Sequence, residues 1–175
     1  MIEREVKYKL TVDLTTAIKM LTNDLGSPEV ETQIDIYYQH PSRDFAKTDE
    51  ALRLRSVNGK VELTYKGPKL SKETKSREEL TVTVNDLETA DKILRRLGFT
   101  PVARIEKTRY NFTDGSFLIS LDSVKELGEF IEVEGIKVSE EELLNRVEKL
   151  RNKYNIFGEK IVKSYLELYL TEKAR

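Results

Sequence analysis

The feature that most constrains this chain is a series of short alternating segments whose polar sides carry paired charges. An ordinary half-buried strand carries a mixed polar face instead. In residues 2–10, Glu3, Glu5, Lys7 and Lys9 share one side, opposite Ile2, Val6, Tyr8 and Leu10. Residues 51–57 place Arg53 and Arg55 opposite Leu52 and Leu54. Glu62, Thr64 and Lys66 align in 60–66, and Arg77, Glu79 and Thr81 in 77–84. Lys107 and Arg109 pair in 102–112, and Glu132 and Glu134 pair in 128–135 with Ile131 and Val133 behind them. Segments 30–39 and 116–122 bring the expected strands to eight.

Turn and helix signals fit between these segments. Asn58-Gly59 is a hairpin signal because both residues tolerate the positive φ of a type I′ turn, and Asp114-Gly115 plays the same part later. Residues 14–25 carry Leu14, Ile18, Leu21 and Leu25 on one side, between Asp13 as N-cap and Gly26 as stop. Residues 86–97 repeat that arrangement. Ser139 with Glu142 forms a capping box, and Ile161, Tyr165, Leu168 and Tyr169 predict a C-terminal helix. The order β-α-β-β-β occurs twice, which suggests an internal duplication with halves of about 1–76 and 77–135 inside a single domain spanning 1–175.

Amphipathic helices need an apolar surface to cover, and the apolar strand faces supply one. With helices outside, the charged faces turn inward around the axis of a closed sheet, and eight strands close without leaving edges. The expected fold is therefore α+β: a closed eight-stranded antiparallel β-barrel with a charged interior and helices packed outside. Isolated buried charges cost several kcal/mol each, so the interior must be a wet tunnel whose charges are partnered by one another or by a ligand. Carboxylates and phosphates both ligate hard cations such as Mg²⁺ or Mn²⁺, and Lys and Arg take the remaining phosphate oxygens. A metal-bound polyphosphate satisfies both signs.

Composition removes several other classes. The 30 Lys and Arg against 31 Asp and Glu leave a net charge of −1, so bulk charge argues for neither nucleic acid nor membrane as partner. The carboxylates beside each basic pair would also repel a nucleic-acid backbone. With no Cys, disulfides, thiolate metal sites and Cys nucleophiles are excluded. No long apolar run occurs and no signal region opens the chain, so a cytoplasmic location is expected. His40, the single His, reads as a loop residue beside Pro41, and Lys66-Gly67-Pro68-Lys69 lacks P-loop spacing.

Taken in order, the charged segments resemble the CYTH proteins, also called triphosphate tunnel metalloenzymes. Glu3-Arg4-Glu5-Val6-Lys7 is similar to that family's N-terminal E-x-E-x-K signature. It is followed in the family's order by Leu52-Arg53-Leu54-Arg55, Thr64-Tyr65-Lys66-Gly67, Arg77-Glu78-Glu79 and Lys107-Thr108-Arg109. Leu121-Asp122-Ser123-Val124, Gly128-Glu129-Phe130-Ile131-Glu132-Val133-Glu134 and Lys163-Ser164-Tyr165 complete the set. The resemblance implies that Glu3, Glu5, Asp122, Glu132 and Glu134 hold Mg²⁺ or Mn²⁺. It also implies that Lys7, Arg53, Arg55, Lys66, Arg77, Lys107, Arg109 and Lys163 bind phosphate oxygens. Glu5, Glu132 and Lys7 are the expected catalytic residues, and Thr81 stands where many relatives carry a further Glu.

The resemblance implies a metal-dependent triphosphatase acting on tripolyphosphate, a nucleoside triphosphate or thiamine triphosphate. A class IV-type adenylate cyclase, converting ATP to cyclic AMP and pyrophosphate, uses the same tunnel. Some of those cyclases carry a His-Phe pair just before the Glu-x-Glu strand; only Met1-Ile2 stands there here, which tilts the expectation to hydrolysis. A polyphosphate- or nucleotide-binding module is the non-enzyme alternative. A homodimer is left open.

Overall fold

The computed structural model describes residues 2–175. In chain order the elements are β1 (Ile2–Leu10), α1 (Leu14–Leu25), β2 (Glu29–Gln39), α2 (Phe45–Thr48), β3 (Ala51–Val57), β4 (Lys60–Lys66) and β5 (Arg77–Val84). Then come α3 (Leu87–Arg96), β6 (Thr100–Asp114), β7 (Phe117–Val124), β8 (Gly128–Gly135), α4 (Glu140–Lys153), β9 (Phe157–Ile161) and α5 (Tyr165–Lys173).

Local chemistry sets most of these boundaries. Asn58 at φ 47° and Gly59 at φ 85° make the β3–β4 turn, whose positive φ at both central residues matches a type I′ loop. Between β6 and β7, Asp114 pairs with Phe117, so the loop is Gly115-Ser116 with Gly115 at φ 60°. Asp13 caps α1 by accepting from the Thr16 amide, and Asp86 caps α3 through Thr89. Ser139 and Ser164 each form a full capping box, with Glu142 and Glu167.

The strands pair in the order β5-β4-β3-β2-β6-β7-β8-β1-β9, and β5 also pairs with β1 through Ile2↔Glu78 and Glu3↔Arg77. That contact closes an eight-stranded antiparallel barrel, with β9 as an added strand on the other half of β1. The pairings are unchanged when β1–β4 are exchanged with β5–β8: β1–β8 answers β5–β4, and β2–β6 maps onto itself. A duplicated β-α-β-β-β unit would have this symmetry.

The period of two decides the layers. Outward-facing Val6, Tyr8, Phe112, Ile119, Leu121, Ile131 and Val133 form one core with Ala17 and Leu21 of α1 and Leu143, Val147 and Leu150 of α4. Each fully buried aliphatic there contributes roughly 1.5–3 kcal/mol. Tyr38, Leu54 and Val61 pack beneath Leu94 of α3. At one end of the barrel, Tyr165 of α5 packs with the inward-facing Tyr37, Ala103, Ile105 and Phe130. That end has an apolar plug, so the interior is a cavity with a floor.

Two short elements escape the alternation. Ile161, expected on the last helix, ends β9, where Lys7↔Ile161, Tyr8↔Lys160 and Leu10↔Phe157 pair. A Cβ on Gly158 would lie 2.9 Å from the Lys9 carbonyl oxygen, so β9 docks this closely only because that residue is glycine. The four-residue α2 is likewise too short to show a period. Among the described residues no helix is long and apolar enough to cross a membrane.

Candidate active site

Above the plug, the interior holds about 630 Å³ of space not filled by atoms, continuous with solvent. Its walls include Glu3 and Glu5 of β1, Arg53 and Arg55 of β3, Lys66 of β4, Arg77 and Glu79 of β5, Lys107 and Arg109 of β6 and Glu132 of β8. The two signs are segregated. The paired strands β1 and β8 carry Glu3, Glu5, Glu132 and Glu134, in register as Glu5↔Glu134 and Lys7↔Glu132, while Glu79 comes from β5. The cations come mainly from β3, β4 and β6.

On the acidic wall, Lys75 donates to Glu5 Oε1 at 2.6 Å, and both residues are buried. Burial pushes the Glu5 carboxyl up, but the Lys75 ammonium and a hydrogen bond shared with Glu132 outweigh it and hold Glu5 well below the usual range. Glu132 moves the other way, raised by burial and by the Glu5 charge beside it. The two behave as one unit in which Glu132 holds a proton more tightly than Glu5. Glu134 is pushed up to about 8 by burial and by Glu3, Glu5 and Glu132.

On the basic wall, two arginines are locked in place. Arg55 donates Nε and Nη2 to Asp35 at 2.7 and 2.8 Å. Arg109 donates the same pair to Asp122 at 2.7 and 2.6 Å, and the Tyr165 hydroxyl donates to Asp122 at 2.6 Å. In both cases Nη1 is left without a carboxylate among the described residues. Burial alone would raise both aspartates, yet the guanidiniums hold them well below the usual carboxylate range.

The remaining cations are poorly neutralised. Lys107 is buried and has no carboxylate within ion-pair distance among the described residues; burial, then Arg109 and Arg55, lower it to about 7. Lys66 reaches Glu3 and Glu79 only at 3.9 and 3.8 Å and is lowered to about 8 by burial and Arg53. Arg53 meets Glu79 at 3.6 Å, and its buried Nε has no partner among the described residues. Buried donors left in this state stabilise an incoming anion strongly.

Three expected residues lie apart from the open cavity. Lys7 is fully buried behind it, with Nζ 3.5 Å from the Tyr165 ring centroid and 3.2 Å from the Lys163 carbonyl oxygen. The Lys163 side chain, expected to bind phosphate, is exposed instead, because α5 turns it outward and sends Tyr165 in. Asp122, expected among the metal ligands, is fully buried and already accepts three hydrogen bonds from Arg109 and Tyr165.

Two site residues escaped the sequence reading. Lys75 lies in the loop before β5, where no alternation marks it; its amide bonds to the Glu5 carbonyl oxygen at 2.9 Å and aims the side chain inward. Asp35 had a visible signal, a lone carboxylate alternating with Ile34 and Ile36.

The acidic wall fits a hard divalent cation in the chemistry of its donors. Four carboxylates stand on two paired strands, and burial together with the crowding of like charges raises the proton affinity of two of them. They are not drawn together: among the described residues no three carboxylate or imidazole side chains converge as a ligand set. Lys75 supplies the local positive charge on Glu5.

Comparison with known proteins agrees with this fold. The chain is 38% identical to a putative adenylate cyclase of Methanocaldococcus jannaschii, over 96% of its own length and 98% of that protein. It is 28% identical to the adenylate cyclase CyaB of Aeromonas hydrophila, over 81% of this chain and 72% of that one. The PH1819 protein of Pyrococcus horikoshii superposes with a TM-score of 0.81 at 38% identity, covering 97% of this chain and 99% of that one. Residues 1–167 match the CYTH domain family, and the chain belongs to it.

Proposed function

We propose that this protein is a metal-dependent triphosphatase that hydrolyses the terminal phosphoanhydride of a triphosphate held in the barrel. The observation that carries the reading is the pair of weakly neutralised cations, Lys66 and Lys107, facing a crowded carboxylate wall across one cavity. A triphosphate would neutralise the first group, and a divalent cation on its oxygens the second.

Arg55 and Arg109, fixed by Asp35 and Asp122, present Nη1 to phosphate oxygens in a preorganised position, so little reorganisation is needed when charge shifts. Lys66, Lys107, Arg53 and Arg77 supply the other contacts, and an adjacent anion raises the two lysines back to full charge. Asp122 is best placed with Arg109 as a positioning group. Glu3, Glu5, Glu132 and Glu134 would hold Mg²⁺ or Mn²⁺, which supplies charge neutralisation and a more acidic bound water. Glu132, whose proton affinity is raised by burial and by Glu5, is the carboxylate suited, in its ionised form, to take a proton from the attacking water. Positioning and electrostatics then account for most of the rate, as in other phosphoryl transfers.

The test is incubation with tripolyphosphate and with ATP, each with Mg²⁺ or Mn²⁺, resolving phosphate, pyrophosphate and cyclic AMP. Phosphate release that Glu132→Gln abolishes in a folded protein is expected. The name carried by the 38%-identical relative favours one alternative, cyclisation of ATP. Cyclic AMP as the main product would replace hydrolysis by that reaction.

A further inference from the structure

The segment joining β4 to β5, residues 67–76, carries a cation to which the phosphate-binding reading gives no role. Lys75 lines the inner cavity, yet its ammonium sits with the carboxylates and donates to Glu5 Oε1 at 2.6 Å. Both side chains are buried. Lys66, by contrast, comes no nearer than 3.9 Å to Glu3. The backbone under Lys75 is fixed. Its amide donates to the Glu5 carbonyl oxygen at 2.9 Å, and the next carbonyl, that of Ser76, accepts from the Leu70 amide at 2.7 Å. Any movement of the ammonium is therefore a rotation of its flexible four-carbon stem.

The ammonium acts on more than one carboxylate. Burial would lower its proton affinity, but the charges of Glu5, Glu132 and Glu3 outweigh burial and raise it well above the ordinary lysine value. One monovalent group thus offsets part of a wall built from Glu3, Glu5, Glu132 and Glu134. It does so through a single short contact, because among the described residues its ion pair is with Glu5 alone. A divalent ion draws several oxygens around itself; here no three carboxylates converge among the described residues. The two cations cannot share Glu5 without strong repulsion, since the interior screens charge poorly.

We propose that Lys75 is an exchangeable counter-cation: in the metal-free barrel its ammonium supplies the positive charge on Glu5, and it leaves Glu5 when a divalent ion takes that carboxylate. The freed ammonium faces the same cavity and donates to an oxygen of the triphosphate. This rests on the reading that the carboxylate wall holds a divalent ion. Without triphosphate, the displaced ammonium meets Lys66, Lys107 and Arg53 and no anion to receive it. Lys75 therefore opposes capture of the metal alone and favours its entry together with the triphosphate, a coupling that is reciprocal.

Binding tests this without relying on turnover. Mn²⁺ affinity is read from the free-ion electron paramagnetic resonance signal, without substrate, for wild type, Lys75→Met and Lys75→Arg. Lys75→Met is expected to bind Mn²⁺ about tenfold more tightly than wild type, and Lys75→Arg, which keeps the charge, within about threefold of it. Metal-free tripolyphosphate binding, measured by calorimetry in EDTA, should move the other way and weaken about tenfold in Lys75→Met. A purely structural lysine would weaken both when removed. Unchanged or weaker Mn²⁺ binding in Lys75→Met overturns the proposal and leaves the triphosphatase reading standing. A crystal of the Mn²⁺ complex gives a second measurement, in which Lys75 Nζ should lie beyond about 4 Å from Glu5 Oε1. A contact kept at 2.6 Å with the ion bound overturns the exchange. Should Lys75→Met fail to fold, Lys75→Gln, which can still donate to Glu5, is judged by the same Mn²⁺ criterion. No Mn²⁺ binding by any form, with or without tripolyphosphate, would sink the metal-dependent reading and this proposal together.

Discussion

Replacing Glu134 with Gln tests the crowded carboxylate wall most directly. The Glu134 carboxyl is pushed up to about 8 by burial and by Glu3, Glu5 and Glu132. In the unfolded chain it titrates near its ordinary value of 4.5. Below that pH both states are protonated and the wall costs nothing. Between 4.5 and 8 the folded state keeps a proton that the unfolded chain has released, so stability falls as pH rises; above 8 the full cost is present. At about 1.4 kcal/mol per tenfold change in proton affinity, the whole difference is on the order of 5 kcal/mol. Partial solvent access and sharing of the proton among neighbours bring the expectation to roughly 2 kcal/mol. Glu134→Gln should therefore stabilise the metal-free protein by that amount at pH 8.5 and by almost nothing at pH 4.5, measured by urea unfolding in EDTA. Adding Mg²⁺ should stabilise wild type more than the variant, because the cation relieves the same repulsion. A variant less stable than wild type at pH 8.5, or an unchanged slope of stability against pH, would refute the crowding argument.

Other substitutions probe the remaining walls. Lys107→Met should weaken tripolyphosphate binding by about a hundredfold or more while leaving the unfolding free energy within about 1 kcal/mol, because Lys107 has no ion pair to lose among the described residues; calorimetry and urea melts check both. In wild type, metal-free affinity for tripolyphosphate should fall as pH rises past 7, where unliganded Lys107 loses its proton, a trend calorimetry from pH 6 to 9 would reveal. Asp122→Asn leaves Arg109 with only the longer Glu132 contact at 3.3 Å and should cost roughly 3 kcal/mol of stability, at the low end for a buried ion pair broken on one side. Ser164→Ala removes the α5 cap and should cost about 1 kcal/mol in the same melts.

The sequence by itself determined the barrel and most of its inner wall. Alternation fixes which side of each strand a residue takes, so Glu3, Glu5, Arg53, Arg55, Lys66, Lys107, Arg109, Glu132 and Glu134 were legible once closure turned the charged sides inward. The turn at Asn58-Gly59 and the caps at Asp13 and Ser139 were legible because their chemistry is local. What tertiary structure decided are partnerships across long separations. Only folding brings Lys75 to Glu5 and Tyr165 to Asp122, 70 and 43 positions apart in the chain. Only the docking of α5 makes one end of the tunnel a floor and sends the Lys163 side chain outward. A two-residue period records the side a residue faces, but not which of the inward charges will neutralise one another and which remain to meet a ligand.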